Sequence, residues 1–280
     1  EDGFTVLSVT DAVAAGQIVM LMLPDQAMAE VYDREIRPHL QPGAALGFAH
    51  GFALAFEQIR PEPGRPCFLV APKAQGDMLR EFHRQGGGVP SLLAVADEAP
   101  TSTWDLAAAY ALAIGCLAGG GFVTTFAREC ISDQFGEQAV LCGGVLEVVK
   151  AAFDILVEAG YGRENAYFEC VHELKLITDL MHRHGIDGMR RRISPTAVYG
   201  GLTRGPFLVD ETMRARMREV LAQIESGKFA RELLDCHADP ETGTAALAAA
   251  EADCPLARTG RQVLPRLAAS RSEPDPKQGD

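Results

Sequence analysis

Two pairs of carboxylates stand where helical segments should be apolar. Glu169 and Glu173 share a stripe with Leu176 and Leu180 at i, i+4, i+7 and i+11, inside the stretch Ala166–Leu180. Lys175 and Asp179 lie on the opposite side at i, i+4, where they can pair in water, so this helix has a solvated face that does not need the two glutamates. Glu169 and Glu173 are therefore expected to point inward. Asp133 and Glu137 repeat the spacing on a stripe that continues through Val140, Leu141 and Gly144. Like charges one turn apart repel by roughly 0.2–0.5 kcal/mol even in water, and burying them unpaired costs far more. Four inward carboxylates from two helices call for a divalent cation, and a hard ion such as Mg2+ takes oxygen ligands of this kind.

A rival metal reading starts from Glu169-Cys-Val-His172, which has the Glu-x-x-His spacing of di-iron helix bundles. That arrangement needs a second copy of the motif, and the residue three after Glu137 is Val140, so coordination by oxygen alone is favoured. His172 sits about 60° round the helix from Glu169, away from Glu173, which gives it a supporting or structural role. His50 and Lys73 each follow an apolar run. As single residues they read as a structural histidine and a surface charge, and their shared position at strand ends strengthens the case for a site.

The elements that must hold these residues change character along the chain. Apolar runs at 17–23, 44–49, 67–71 and 91–95 read as strands, with helices at about 25–36, 50–58 and 75–83, the first opened by Asp25 as N-cap. Strands that alternate with helices and lack polar alternation imply a parallel sheet covered on both faces. Ligands of such sheets bind beyond the strand carboxyl ends, here Leu23–Gln26, Ala49–Gly51 and Ala71–Lys73. The 280 residues contain no G-x-G-x-x-G turn; Gly86-Gly-Gly88 and Gly119-Gly-Gly121 have the wrong spacing and read as flexible turns. From about Pro100 long helical segments take over: 103–118, 133–159 interrupted at Gly143-Gly144, 164–184, 210–223 and 228–236, with a shorter one at 245–252. This pattern divides the chain into an α/β region, 1–125, an all-helical region, 126–267, and a tail, 268–280, without apolar anchors and expected to be disordered.

Composition narrows the function. A net charge of −12 with no basic stripe argues against nucleic acid, and no apolar run approaches the ~20 residues of a membrane span. With 47% hydrophobic and 23% charged residues the chain reads as a soluble globular protein acting on small molecules. The start has no basic n-region or h-region and looks as if it begins mid-protein. Seven cysteines, an odd number without C-x-x-C spacing, read as reduced thiols of a cytoplasmic protein.

Several of these segments resemble one enzyme family: Phe135-Gly-Glu-Gln-Ala-Val-Leu-Cys-Gly-Gly144, Ala166–Ile177, Phe48-Ala-His-Gly51, Val70-Ala-Pro-Lys73 and Gly86-Gly-Gly-Val-Pro90 are similar to ketol-acid reductoisomerases of the short bacterial type. The resemblance runs from residue 1 to about Leu267. It implies a Rossmann-like first domain whose first strand and Gly-rich turn would precede residue 1, and a knotted, all-helical second domain paired in a homodimer or higher homo-oligomer that completes the active site. It implies NADPH and two Mg2+ ions as cofactors, and a 2-acetolactate or 2-aceto-2-hydroxybutyrate substrate, converted to the dihydroxy acid in branched-chain amino acid synthesis. On matching positions it implies metal binding by Asp133, Glu137, Glu169 and Glu173, and substrate contact by Ser194. Catalytic roles fall to His50, Lys73 and Glu173, and cofactor contacts to Asp25, Gln26, Ala27, Met28 and Gly76. Gln134 stands where the family has an apolar residue. The competing expectation is a truncated or diverged non-catalytic homologue that keeps the helical dimerisation region.

Overall fold

The computed structural model describes residues 3–236, 239 and 243–269. Of the tail expected at 268–280, residues 268 and 269 are the last of a helix, and residues 270–280 lie outside the described residues.

Two compact units are present, one comprising residues up to Gln134 together with Ile224–Leu234, the other Phe135–Gln223 and the residues from Asp235 onward. The first is built on a five-stranded sheet. After α1 (Val9–Ala15), capped by the Ser8 hydroxyl, the chain runs β1 (Ile18–Leu21), α2 (Asp25–Val31), β2 (Ala45–Phe48), α3 (Phe52–Ala55) and β3 (Cys67–Pro72). It continues through α4 (Gly76–Arg84), β4 (Ser91–Val95), α5 (Thr103–Ala113), α6 (Cys116–Gly119), β5 (Gly121–Val123) and α7 (Phe126–Gly136). The strand order is β1-β2-β3-β4-β5.

β1, β2 and β3 are parallel, as their crossover helices require. β3 is buried along nearly its whole length because both faces are covered. Leu69 and Ala71 join Leu46, Phe48, Met28 and Tyr32 on one side, while Phe68 and Val70 join Ala45, Leu93, Ala107 and Ala111 on the other. Each fully buried large side chain here contributes about 1.5–3 kcal/mol relative to exposure.

β4 departs from the expected parallel sheet. It runs antiparallel to β3, with Ser91 opposite Pro72 and Val95 opposite Phe68. The physical reason lies in the preceding helix: a crossover helix must bury an apolar face on the sheet, and α4, Gly-Asp-Met-Leu-Arg-Glu-Phe-His-Arg, buries no residue. The chain turns back through Gly86-Gly-Gly88 and re-enters the sheet from the carboxyl end of β3. β5 then pairs parallel to β4.

The second unit is helical. A π-turn, Glu137–Leu141, extends α7 and leads into α8 (Gly144–Glu158). Next come α9 (Arg163–Tyr167), a further π-turn at Phe168–His172 and α10 (Glu173–Arg190), broken at Gly185 by a φ of 67°. α11 (Pro195–Leu208), α12 (Glu211–Glu225), α13 (Lys228–Cys236), α14 (Thr244–Glu251) and α15 (Pro255–Ala269) complete the described helices. Phe153, Ala166, Tyr167, Leu256 and Val263 form this unit's core. α13 packs instead in the first unit, where Ala230 meets Phe52 and Cys130. No helix among the described residues is long and apolar enough to cross a membrane.

Candidate active site

At the carboxyl edge of the parallel strands, four side chains close into one network. His50 leaves β2 and Lys73 leaves β3, while α7 presents Glu129 and Asp133 one turn apart. Lys73 Nζ donates to Glu129 Oε1 at 2.9 Å and to Asp133 Oδ1 at 2.8 Å. His50 Nδ1 lies 3.1 Å from Glu129 Oε2 and 3.6 Å from Asp133 Oδ2. The backbone N–H of Gly51 donates to Glu129 Oε2 at 2.8 Å. Only glycine allows that approach, because a Cβ at position 51 would fall 2.3 Å from the Phe126 carbonyl oxygen and 3.1 Å from Cys130 Cβ.

Glu129 is the hub, with a side chain 1% exposed. Burial alone would raise its carboxyl pKa, but hydrogen bonds and charges from His50 and Lys73 reverse this and hold it below the usual range. Burial also opposes the charge on His50. Hydrogen bonds with Cys130 and Glu129 outweigh it and push the imidazole up to about 10, so His50 is protonated at neutral pH and both its ring nitrogens are donors. Lys73 follows the same pattern: burial lowers its pKa, bonds to Asp133 and Glu129 raise it further, and it stays charged. Asp25, in the first turn of α2, is raised chiefly by burial, with His50 lowering and Glu129 adding to the shift. Its expected N-cap role falls instead to Pro24, since Asp25 is already the first helical residue. Two cations set against two carboxylates can hold a proton in place and stabilise negative charge growing on a substrate oxygen.

Residues 126–268 match the family described as the C-terminal domain of ketol-acid reductoisomerase, and residues 1–120 match the acetohydroxy acid isomeroreductase NADPH-binding domain. The chain belongs to the ketol-acid reductoisomerase family. Among solved structures it is similar to an NADH-preferring ketol-acid reductoisomerase from an uncultured archean, with 38% identity and a TM-score of 0.90, over 94% of this chain and 80% of that one. A protein from Jannaschia sp. CCS1 described as an oxidoreductase shares the fold at 16% identity and a TM-score of 0.61, over 83% of each chain. The family couples isomerisation to reduction in branched-chain amino acid biosynthesis.

The remaining residues singled out from the sequence fall as follows. Gln26 and Ala27 are half-buried on α2, while Met28 is in the core, so only its backbone can meet a ligand. Gly76 opens α4 beside open space. Glu137, Glu169, Glu173 and Ser194 belong to the second unit. The inward orientation expected for Glu169 and Glu173 is not observed: both are exposed. Bonding from Glu173 N to the Phe168 carbonyl, five residues back, widens the turn between them, so the α-helical phase assumed from spacing does not apply. The face this segment buries is the one carrying Ala166, Tyr167, Phe168 and Val171. Lys175 and Asp179 do pair, at 2.6 Å. His172 stacks edge-on against Phe168 at 5.9 Å, a structural contact. Ser194 caps α11, its hydroxyl accepting from Ala197 N at 3.1 Å.

Glu129 escaped the sequence reading, although it stands four residues before Asp133 and continues the same stripe. Gln134 is buried, and its Oε1 has no hydrogen-bond partner among the described residues.

The donor chemistry accommodates the ions the family implies. Asp133, Glu137, Glu169 and Glu173 offer carboxylate oxygens only, each at least partly open to solvent, which suits a hard divalent cation. Asp25, His50 and Lys73 lie along the carboxyl edge of the first unit's parallel strands, and the 280 residues contain no G-x-G-x-x-G turn.

Proposed function

We propose that this chain is a Mg2+-dependent ketol-acid reductoisomerase. It carries out alkyl migration in 2-acetolactate or 2-aceto-2-hydroxybutyrate and reduction of the product to the 2,3-dihydroxy acid with NADPH. The observation that carries this reading is the Glu129-centred network, which sets two cations and Asp133 at the edge where a dinucleotide sheet binds its ligands.

Asp133, Glu137, Glu169 and Glu173 hold two Mg2+ ions, which when bound polarise the substrate's ketone and hydroxyl oxygens. His50 acts as a positioned hydrogen-bond donor and proton holder, since its imidazolium is fixed by Glu129. Lys73 orients Asp133 and adds positive charge beside the reacting oxygens. Glu173 takes the hydroxyl proton, and Ser194 presents its O–H to the substrate carboxylate while its oxygen caps α11. Asp25, Gln26, Ala27, Met28 and Gly76 contact the cofactor.

The working form is a homodimer or higher homo-oligomer. Support comes from large apolar side chains exposed on the second unit, among them Tyr199, Phe207 and Leu208 at 69%, 78% and 68%.

The test is NADPH oxidation by the purified protein with each acetohydroxy acid, with Mg2+ present or chelated, and with NADH in place of NADPH. Turnover that requires Mg2+ and prefers NADPH is expected. Absence of turnover with either nucleotide refutes the assignment for this chain, and a preference for NADH refutes only the cofactor choice.

A further inference from the structure

The network around Glu129 contains the makings of a second kind of metal site. His50 Nδ1 and one oxygen each of Glu129 and Asp133 lie within 4.8 Å of one another, and no other His, Cys, Asp and Glu side chains converge in this way among the described residues. One imidazole nitrogen with two carboxylates is a donor set that suits a borderline cation such as Zn2+ or Co2+ better than Mg2+.

The place is already taken. Glu129 gives Oε1 to Lys73 and Oε2 to His50, and Asp133 divides its oxygens in the same way, so the ammonium and the imidazole face the carboxylate pair from two sides. We infer that Lys73 is a built-in cation that closes a latent His50–Glu129–Asp133 site to borderline divalent metals. The inference rests on contacts inside one compact unit and does not depend on which reaction the chain performs.

The physical argument turns on Glu129. A carboxylate 1% exposed demands a compensating charge. With Lys73 in place an ammonium meets that demand at 2.9 Å, and a divalent ion would have to enter against a positive neighbour. Neutralising Lys73 frees Oε1 and Oδ1 and removes its repulsion, leaving a buried acidic pair beside an imidazolium whose Nδ1 proton an entering borderline cation displaces to solvent. That pocket then binds a cation from solution.

Cobalt reports the difference, because all-oxygen octahedral Co2+ absorbs weakly and lower-symmetry Co2+ with an imidazole ligand absorbs strongly. The full chain, Lys73→Met, Lys73→Gln and Lys73→Arg are titrated with Co2+, each with and without His50→Ala. The two neutral variants are expected to bind Co2+ on the order of 100-fold more tightly than the wild type, with visible bands that vanish with His50→Ala, and Lys73→Arg is expected to gain nothing. A folded neutral variant without a His50-dependent band overturns the inference, as does an equally strong His50-dependent band in the wild type. Should the neutral variants unfold, Co2+ and not Mg2+ is expected to restore their circular dichroism; failure of that rescue also overturns it.

Discussion

Glu129 has the most to lose from a change of one atom. In Glu129→Gln the amide keeps the shape but not the charge, leaving Lys73 and His50 to share Asp133. A loss of about 2–3 kcal/mol is expected, below the full cost of breaking a buried pair because Lys73 is a third exposed, and urea unfolding measures it. The pH dependence follows from His50. Its folded pKa of about 10 lies above its ordinary 6.5, so its contribution is complete below pH 6.5 and fades as pH rises towards 10. Stability should therefore fall across that window in the wild type, and His50→Gln should flatten the slope. Gln134→Leu should raise stability by roughly 1 kcal/mol, since it removes a buried acceptor without a partner. The sequence made His50, Lys73 and Asp133 visible because each stands at a strand end or on a periodic stripe. What it hid was which carboxylate is buried. Glu129 follows the same spacing as Asp133, but it is buried where Gly51 packs closely against Phe126 and Cys130.

Elements were legible where periodicity was unbroken. The four apolar runs are strands β1 to β4, and the expected breaks at Gly143-Gly144 and after His184 correspond to a π-turn exit and to the positive φ of Gly185. β5 was missed because Gly119-Gly-Gly121 reads as a turn, and α11 because three glycines and Pro206 dilute its helical signal. The π-turns were beyond reach, since a sequence read at 3.6 residues per turn cannot register a five-residue bond. Yet the glycines after one of them are its consequence. A Cβ on Gly143 would lie 2.1 Å from the Gln138 carbonyl oxygen, and one on Gly144 equally close to that of Ala139. In an ordinary helix Gly→Ala stabilises by about 0.5–1 kcal/mol. Here Gly144→Ala should destabilise by about 1–3 kcal/mol, as overpacking does, and the sign of the shift in melting temperature decides the matter.

At the scale of the whole molecule, the second unit buries little for its length. Gly188 is the only residue α10 buries, and α11 buries none, yet these two helices expose Leu176, Met181, Ile186, Tyr199, Leu202, Phe207 and Leu208. A monomer rarely leaves so much apolar surface on adjacent elements. If a second copy covers α10, the exposure of Glu169 and Glu173 ceases to be an anomaly, because the stripe read from the sequence as inward would face a subunit rather than the chain's own core. Light scattering should then find a dimer or larger assembly for the wild type. Phe207→Asp with Leu208→Asp should shift it towards monomer without loss of helicity, since neither side chain contributes to the unit's own core. The same variant should weaken Mg2+ binding in calorimetry if the assembly completes the carboxylate set. A wild-type chain that stays monomeric at high concentration and still binds Mg2+ would mean that Glu169 and Glu173 serve a site within one chain.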